Sequence, residues 1–284
     1  MDALKKTLVL AAALILLGAA PSAAPTRVIS IVPAVTEMLY AIGAGPQVIG
    51  VSSFDHYPAE VEKLARVGGL IDPDIERVIS LRPDLVIVYG SQKDLIDKLD
   101  RAHIPMFNYR HSGLADITTT IRTLGERVGH AREAEAVASN IEKGLNDIRT
   151  GTAGGPRYKT LLVFGREPGS LRGIYASAGK GFLTDLLDVA GGADVFADVQ
   201  KENIQVSSEQ LITRAPEAVV ELHGTLTADR RAAERRVWDQ LPGLPAVKQN
   251  RIYLLAGDVL TIPGPRVVEA ARMMAEALHP SAKK

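Results

Sequence analysis

The chain has 284 residues, 46% of them apolar and 23% charged, enough to bury one large core or two ordinary ones. Its 33 basic residues balance 33 acidic ones, which leaves no electrostatic footprint for nucleic acid. There is no cysteine, and this excludes disulfides, thiolate metal sites, cysteine nucleophiles and a thiol for a lipid anchor.

Lys5 and Lys6 form a basic start, and residues 7–20 continue as a run of about 14 apolar and small residues, short of the ~20 needed to cross a bilayer. We expect an export signal over residues 1–24; the alternative is an uncleaved anchor. Pro21 and Pro25 leave the cut position open. An exported chain with neither anchor nor disulfide is expected to diffuse in the periplasm.

From residue 25 to 112 short strands alternate with helices. Arg27 to Val32 is a β-branched strand, and Thr36 to Ile42 a helix stopped by Gly43. Val48 to Val51 is a second strand, and Tyr57 to Leu64 a short helix. Residues 74–88 predict a helix opened by Asp74, with Glu76 in its first turn, a break at Arg82-Pro83 and a strand from Leu85 to Tyr89. Lys93 to Ala102 reads as helix and Ile104 to Tyr109 as strand. The alternation predicts an α/β lobe around a mainly parallel sheet.

Between residues 113 and 150 the period changes. Ile117, Ile121, Leu124, Val128, Ala134 and Ile141 recur at helical spacing, with Gly129 the one weak interruption. The pattern predicts about 35 residues of nearly unbroken helix, on the order of 50 Å long. Such a helix suits a stiff strut joining two lobes. Residues 151–156 form a loop.

Residues 151–284 form a second α/β lobe. Strands are expected from Thr160 to Phe164, Ala218 to Leu222 and Arg251 to Ala256. Helices are expected from Gly181 to Val189, Asp229 to Gln240 and Arg266 to Leu278, with Trp238 in the core. The segment 207–221 repeats the layout of 74–88 at an offset of 133 positions, with Ser207 for Asp74, Glu209 for Glu76 and Pro216 for Pro83. A unit repeated once suggests two similar lobes, and two lobes imply a cleft.

Two local motifs fail. The glycine-rich stretch 173–181 has five residues between Gly173 and Gly179, and Gly181 stands where a phosphate loop needs Ser or Thr; it reads as a loop. No nucleophile elbow or paired-histidine metal helix occurs. More informative are Phe54, Tyr89, Tyr109, Arg166, His223 and Asp258, all at predicted strand ends, where ligands of open α/β sheets collect. Each is also compatible with an ordinary loop role; as a set they suit a large, flat, partly apolar ligand. Glu76 and Glu209 have two readings. A carboxylate in the first helical turn is favoured by the helix dipole and needs no partner. Equivalent charges on two lobes also suit a two-fold symmetric partner.

Residues 32–37, Ile49 to Ser53 with Tyr57-Pro58, Glu76 through Tyr89, and Ser208 through Pro216 resemble the periplasmic substrate-binding proteins of ABC importers for cobalamin, haem and iron–siderophores. This is the class with a rigid helical backbone between lobes, and the cobalamin branch looks most similar. The resemblance runs from Arg27 to Leu278. It implies two Rossmann-like lobes with central parallel sheets, joined by one long rigid α-helix. It implies a monomer without catalysis that delivers a corrinoid to a permease dimer served by a cytoplasmic ATPase. Glu76 and Glu209 would dock on permease arginines, one per subunit. The ligand would meet Phe54, Tyr57, Tyr89, Asn203 and Asp258, to which placement adds Tyr109 and Arg166. Where the cobalamin branch carries tryptophans, this chain holds Ile71, Tyr89 and Asn203. Tyr57 matches the iron-coordinating tyrosine of haem-binding relatives, so haem is an alternative cargo. A ferric siderophore, with Arg110, Arg166 and Arg172 in the cleft, is another. The different-class rival is an exported hydrolase whose site lies in the same cleft.

Overall fold

The computed structural model describes residues 23–280; apart from Ala23 and Ala24, the export signal read over residues 1–24 lies outside them. The first lobe holds β1 (Val28–Ser30), α1 (Pro33–Ala41), β2 (Val48–Val51), β3 (Ala65–Arg66), α2 (Ile75–Ser80), β4 (Leu85–Tyr89), α3 (Lys93–Arg101) and β5 (Met106–Tyr109). Its sheet is wholly parallel in the order β3-β2-β1-β4-β5. Then come α4 (Leu114–Val128) and α5 (Ala131–Thr152). The second lobe holds β6 (Lys159–Gly165), β7 (Ile174–Ala178), α6 (Phe182–Val189), β8 (Ala193–Asp194), β9 (Lys201–Val206), α7 (Ser208–Arg214) and β10 (Ala218–His223). It ends with α8 (Ala228–Val237), α9 (Pro245–Lys248), β11 (Ile252–Ala256) and α10 (Val267–Leu278).

The second sheet departs from the expectation of a parallel one. Its order is β11-β10-β6-β7-β9, with β8 beside β6, and β7 runs antiparallel to both neighbours. Strand β7 comes from the glycine-rich stretch expected to be a loop. Ile174 and Ala176 are buried while Tyr175 between them is exposed, a two-residue period that the flanking glycines obscure. Gly179 is the glycine that the turn requires. Its φ is +86°, and a Cβ there would lie 2.5 Å from the Ala197 carbonyl oxygen.

The central strands of both sheets are buried on both faces, and their alternate residues divide between cores. Leu85 and Ile87 of β4 join a core shared with α4, α5 and the second lobe, including Ile121, Ile141, Leu162 and Met274. Val86 and Val88 face a separate cluster with Leu95 and Leu99 of α3. In the second lobe Leu161 and Val163 point to an outer cluster around Trp238, which is fully buried as expected. One apolar core therefore passes through both lobes.

The predicted single helix of about 35 residues is two helices. Gly129 adopts φ +82° and ends α4, and α5 folds back along it. Arg122 consequently pairs with both Glu135 and Glu142 across the hairpin, at 2.7 and 2.6 Å. The apolar period runs unbroken through the turn because both helices bury the same face. Helix α4 packs on α1 of the first lobe, and α5 on α6 and α10 of the second. The strut is thus this hairpin, whose longer arm of 22 residues spans about 33 Å.

Candidate ligand cleft and paired surface helices

Strand β4 ends at Tyr89 and β6 ends in Phe164-Gly165, one from each lobe. These ends, the first turn of α6 and the start of β9 meet around a cavity of about 200 Å³. Tyr89, Phe164 and Phe182 supply its aromatic walls, and Ser112, Asn203 and Thr261 its neutral polar groups. Lys180 and Glu202 are the charged residues on the lining, so the site is close to neutral. The volume falls below the ~300–1,000 Å³ of small-molecule sites, which makes it the floor of a cleft rather than the whole site.

An aromatic row underlies this floor. Tyr89 meets Tyr109 edge-on with ring centroids 5.9 Å apart, Tyr109 stacks on His111 at 6.2 Å, and His111 meets Phe182 edge-on at 5.6 Å. Burial depresses the His111 pKa against the pull of Asp116, Glu202 and Asp185. His111 is a site residue that sequence reasoning missed. It lies just past a predicted strand, which is its one signal in the sequence, since no second histidine stands at helical spacing.

Tyr109 requires a correction. It is 2% exposed, within the row rather than in the cleft, and burial raises its phenol pKa. Arg166 lines a second cavity of about 230 Å³, beside Phe164 and His223, and not the one at Tyr89. Its side chain is 3% exposed and is held by Glu221 at 2.9 Å and Glu234 at 2.7 Å. Trp238 Nε1 donates to Glu221, and the Gly169 N–H donates to Glu234. Both Tyr109 and Arg166 stand near strand ends, yet turn inward.

Phe54, Tyr57 and Ile71 of the first lobe are 66, 46 and 98% exposed, and Ile71 lines a separate cavity with Gln92 and Leu95. The Gln92 side chain accepts from the Tyr89 N–H and donates to the Leu70 carbonyl, tying the Ile71 loop to the end of β4. Tyr57 lies under the Arg266 guanidinium, 4.0 Å from its ring centroid. Arg266 belongs to the second lobe. Its Nε donates to Glu37 of the first lobe at 2.9 Å, and its Nη1 and Nη2 donate to Asp258 at 3.1 and 2.9 Å. Glu37 is 3% exposed, and burial raises its pKa even though Arg266 pulls it down. Asp258 is held below the usual aspartate range, chiefly by its hydrogen bonds from Arg266. Two expected ligand residues, Tyr57 and Asp258, are thereby gathered at one inter-lobe link.

The two copies of the sequence repeat have the same local form. The Asp74 carboxylate accepts from the Arg77 N–H, and the Ser207 hydroxyl from the Gln210 N–H. Glu76 and Glu209 follow as exposed residues in the first turn. Arg82 and Ala215, each preceding a proline, have φ of 49° and 48°. The order β1-β4-β5 in one sheet answers β6-β10-β11 in the other, so the helices occupy equivalent places. Among the described residues no group of His, Asp and Glu is arranged to hold a metal ion, and no helix is long and apolar enough to cross a membrane.

A family model described as periplasmic binding protein matches residues 28–259. An uncharacterized ABC transporter substrate-binding lipoprotein of Bacillus subtilis is 30% identical over 267 residues, 92% of this chain and 82% of that one. A vitamin B12-binding protein of Yersinia pestis is 30% identical over 202 residues, 70% of each chain. The crystal structure of the periplasmic vitamin B12 binding protein of Vibrio cholerae superposes with a TM-score of 0.77 at 25% identity, covering 92% of this chain and 99% of that one.

Proposed function

The chain belongs to the periplasmic binding protein family, and from that premise we propose that its cargo is cobalamin or a related corrinoid, held between the lobes. It is an extracytoplasmic substrate-binding component of an ABC transporter, and the family binds substrates without transforming them. That removes the exported hydrolase.

The observation that carries the corrinoid reading is the character of the cleft. A corrin is a large flat ring fringed with amides. Tyr89, Phe164 and Phe182 offer faces to such a ring, and Ser112, Asn203 and Thr261 offer hydrogen bonds to amides. Haem brings two carboxylates, and the lining supplies them with one cation, Lys180. Similarity to relatives named for vitamin B12 supports the same cargo. Phe54, Tyr57, Tyr89, Asn203 and Asp258 are the residues proposed to contact it. The carrier is proposed to work as a monomer in the periplasm after loss of its signal peptide. The sequence holds no cysteine, whereas the similar Bacillus subtilis protein is described as a lipoprotein. Glu76 and Glu209 are proposed to dock on the permease dimer, which couples to its cytoplasmic ATPase.

Haem keeps a specific observation in its favour, the exposed Tyr57 ring beneath Arg266. Calorimetry and absorbance with cyanocobalamin, hemin and ferric siderophores separate the readings. We expect heat with cyanocobalamin and about tenfold weaker binding for Tyr89→Ala, from loss of one aromatic contact. No heat with cyanocobalamin, together with a tyrosinate–iron band that Tyr57→Ala removes, would make haem the cargo.

A further inference from the structure

Most large apolar side chains exposed among the described residues line a cavity or pack against a neighbouring side chain or turn. Leu70 and Ile71 line a first-lobe cavity, Phe54 lies against the Gly69 turn, Tyr57 lies under Arg266, and Tyr175 packs against Phe164. Two others do not. Ile79 is 38% exposed on α2, and Ile212 is 62% exposed on α7. They are related by the same 133-position offset as Glu76 and Glu209.

The match between the two helices is selective. Val78 and Leu211 turn inward and anchor them. At the exposed positions Arg77 is answered by Gln210 and Ser80 by Thr213, whereas glutamate answers glutamate and isoleucine answers isoleucine. Ile79 is three positions after Glu76 and Ile212 three after Glu209, so each pair shares one helix face. Leaving an isoleucine in water forgoes the stabilisation that its burial would bring. Forgoing it twice, at equivalent places beside the same charge, points to an apolar contact that forms only in a complex.

We propose that Ile79 and Ile212 complete a twinned docking surface with Glu76 and Glu209. Its partner is a two-fold symmetric permease that presents, on each subunit, a basic side chain about one helical turn from an apolar recess. This rests on the reading of the chain as a carrier that delivers to a permease dimer. The two parts of each contact have separate jobs. The exposed carboxylates steer encounter and set orientation, a salt-sensitive effect on association. The isoleucines, once desolvated, slow dissociation.

The test uses the whole chain and the permease–ATPase complex from the same organism, reconstituted in nanodiscs, with binding followed by interferometry at two salt concentrations. We expect Ile79→Ser with Ile212→Ser to weaken binding on the order of 100-fold, about tenfold per side chain, mainly through faster dissociation. Ile79→Leu with Ile212→Leu should restore most of it. Glu76→Gln with Glu209→Gln should slow association and flatten the salt dependence. Cyanocobalamin affinity should not change in any variant. If the serine pair lowers the melting temperature, the glutamine pair at 79 and 212 replaces it. A serine pair that binds like the parent while the Glu→Gln pair does not would overturn the role of the isoleucines and leave the carrier reading standing. A parent chain that does not bind the permease would overturn both.

Discussion

The Arg266 link shows how much one side chain decides in this fold. Arg266 joins the second lobe to Glu37 of the first, and the Glu37 side chain is 2% exposed. Removing one partner of a buried pair strands the other charge, at a cost of about 3 kcal/mol or more. We expect Arg266→Ala to lower stability by about that amount, and Glu37→Met in the same chain to recover most of it, as measured by urea unfolding. A double variant no more stable than Arg266→Ala alone would sink this account. Acid should reach the two carboxylates of the link in a definite order. Burial raises Glu37, and the Arg266 hydrogen bonds lower Asp258, so as pH falls Glu37 takes its proton first. The stability that Asp258 contributes is present above the ordinary aspartate value and is lost as pH falls through its depressed one. The raised Glu37 value acts in the opposite sense, favouring the fold below the ordinary glutamate value and losing that as pH rises through the raised one. A carboxyl-detected NMR titration gives both midpoints, and Asp258 titrating above Glu37 would contradict it. The Glu37–Arg266 pair was not legible in the chain, because its members lie 229 positions apart. The strand-end rule points to Asp258, in the Arg266 link, and equally to the buried Arg166 and Tyr109. It gives the level of a residue along a strand and not the direction of its side chain.

Among the elements, the helical hairpin is where sequence period and structure part. A stripe of apolar residues at helical spacing reads the same whether a helix continues or folds back on itself. The distinguishing signal is Gly129: glycine is tolerated inside helices, yet here its φ of +82° ends α4. Gly125 records the fold-back more directly, since a Cβ there would lie 2.2 Å from Ala134 Cβ on the facing helix. In a continuous helix Gly125→Ala would stabilise by up to about 1 kcal/mol. In the hairpin it should destabilise by about 1–3 kcal/mol through overpacking. Thermal unfolding of Gly125→Ala gives the sign, and a raised melting temperature would refute the hairpin. The repeated helices α2 and α7 were legible from N-cap to closing proline, because capping, the helix stop and the strand onset are all local. Strand β9 was not. Lys201, Glu202, Asn203 and Gln205 leave it without an apolar run, and only Val206 is buried. Its pairing with β7, across an intervening helix, makes it a strand.

At the scale of the whole molecule, the two lobes share more than a connection. Residues from the inner faces of both sheets and from both strut helices form one apolar core, and the Arg266–Glu37 pair fastens the lobes a second time. A hinge that closed widely would have to shear that core and open a buried ion pair. Packed interiors resist small continuous deformations of this kind. Cargo binding should therefore change the relative placement of the lobes little. Spin labels on Lys98 of α3 and Arg236 of α8, both exposed and in different lobes, report that placement by pulsed electron resonance. We expect the mean distance with saturating cyanocobalamin to stay within about 2 Å of the free value. The same labels in Arg266→Ala should show a broader distribution in the free chain, because the shared core then holds the lobes alone. A shift of several ångströms in the unsubstituted chain would mean that the core divides between the lobes and that α4 and α5 slide as they part. A carrier held in one shape also keeps Glu76 and Glu209 at a fixed separation whether loaded or empty. The permease would then sense cargo through the cleft itself and not through the spacing of the docking helices. If the label distance is constant, loaded and empty chains should bind the permease with similar association rates and differ after contact.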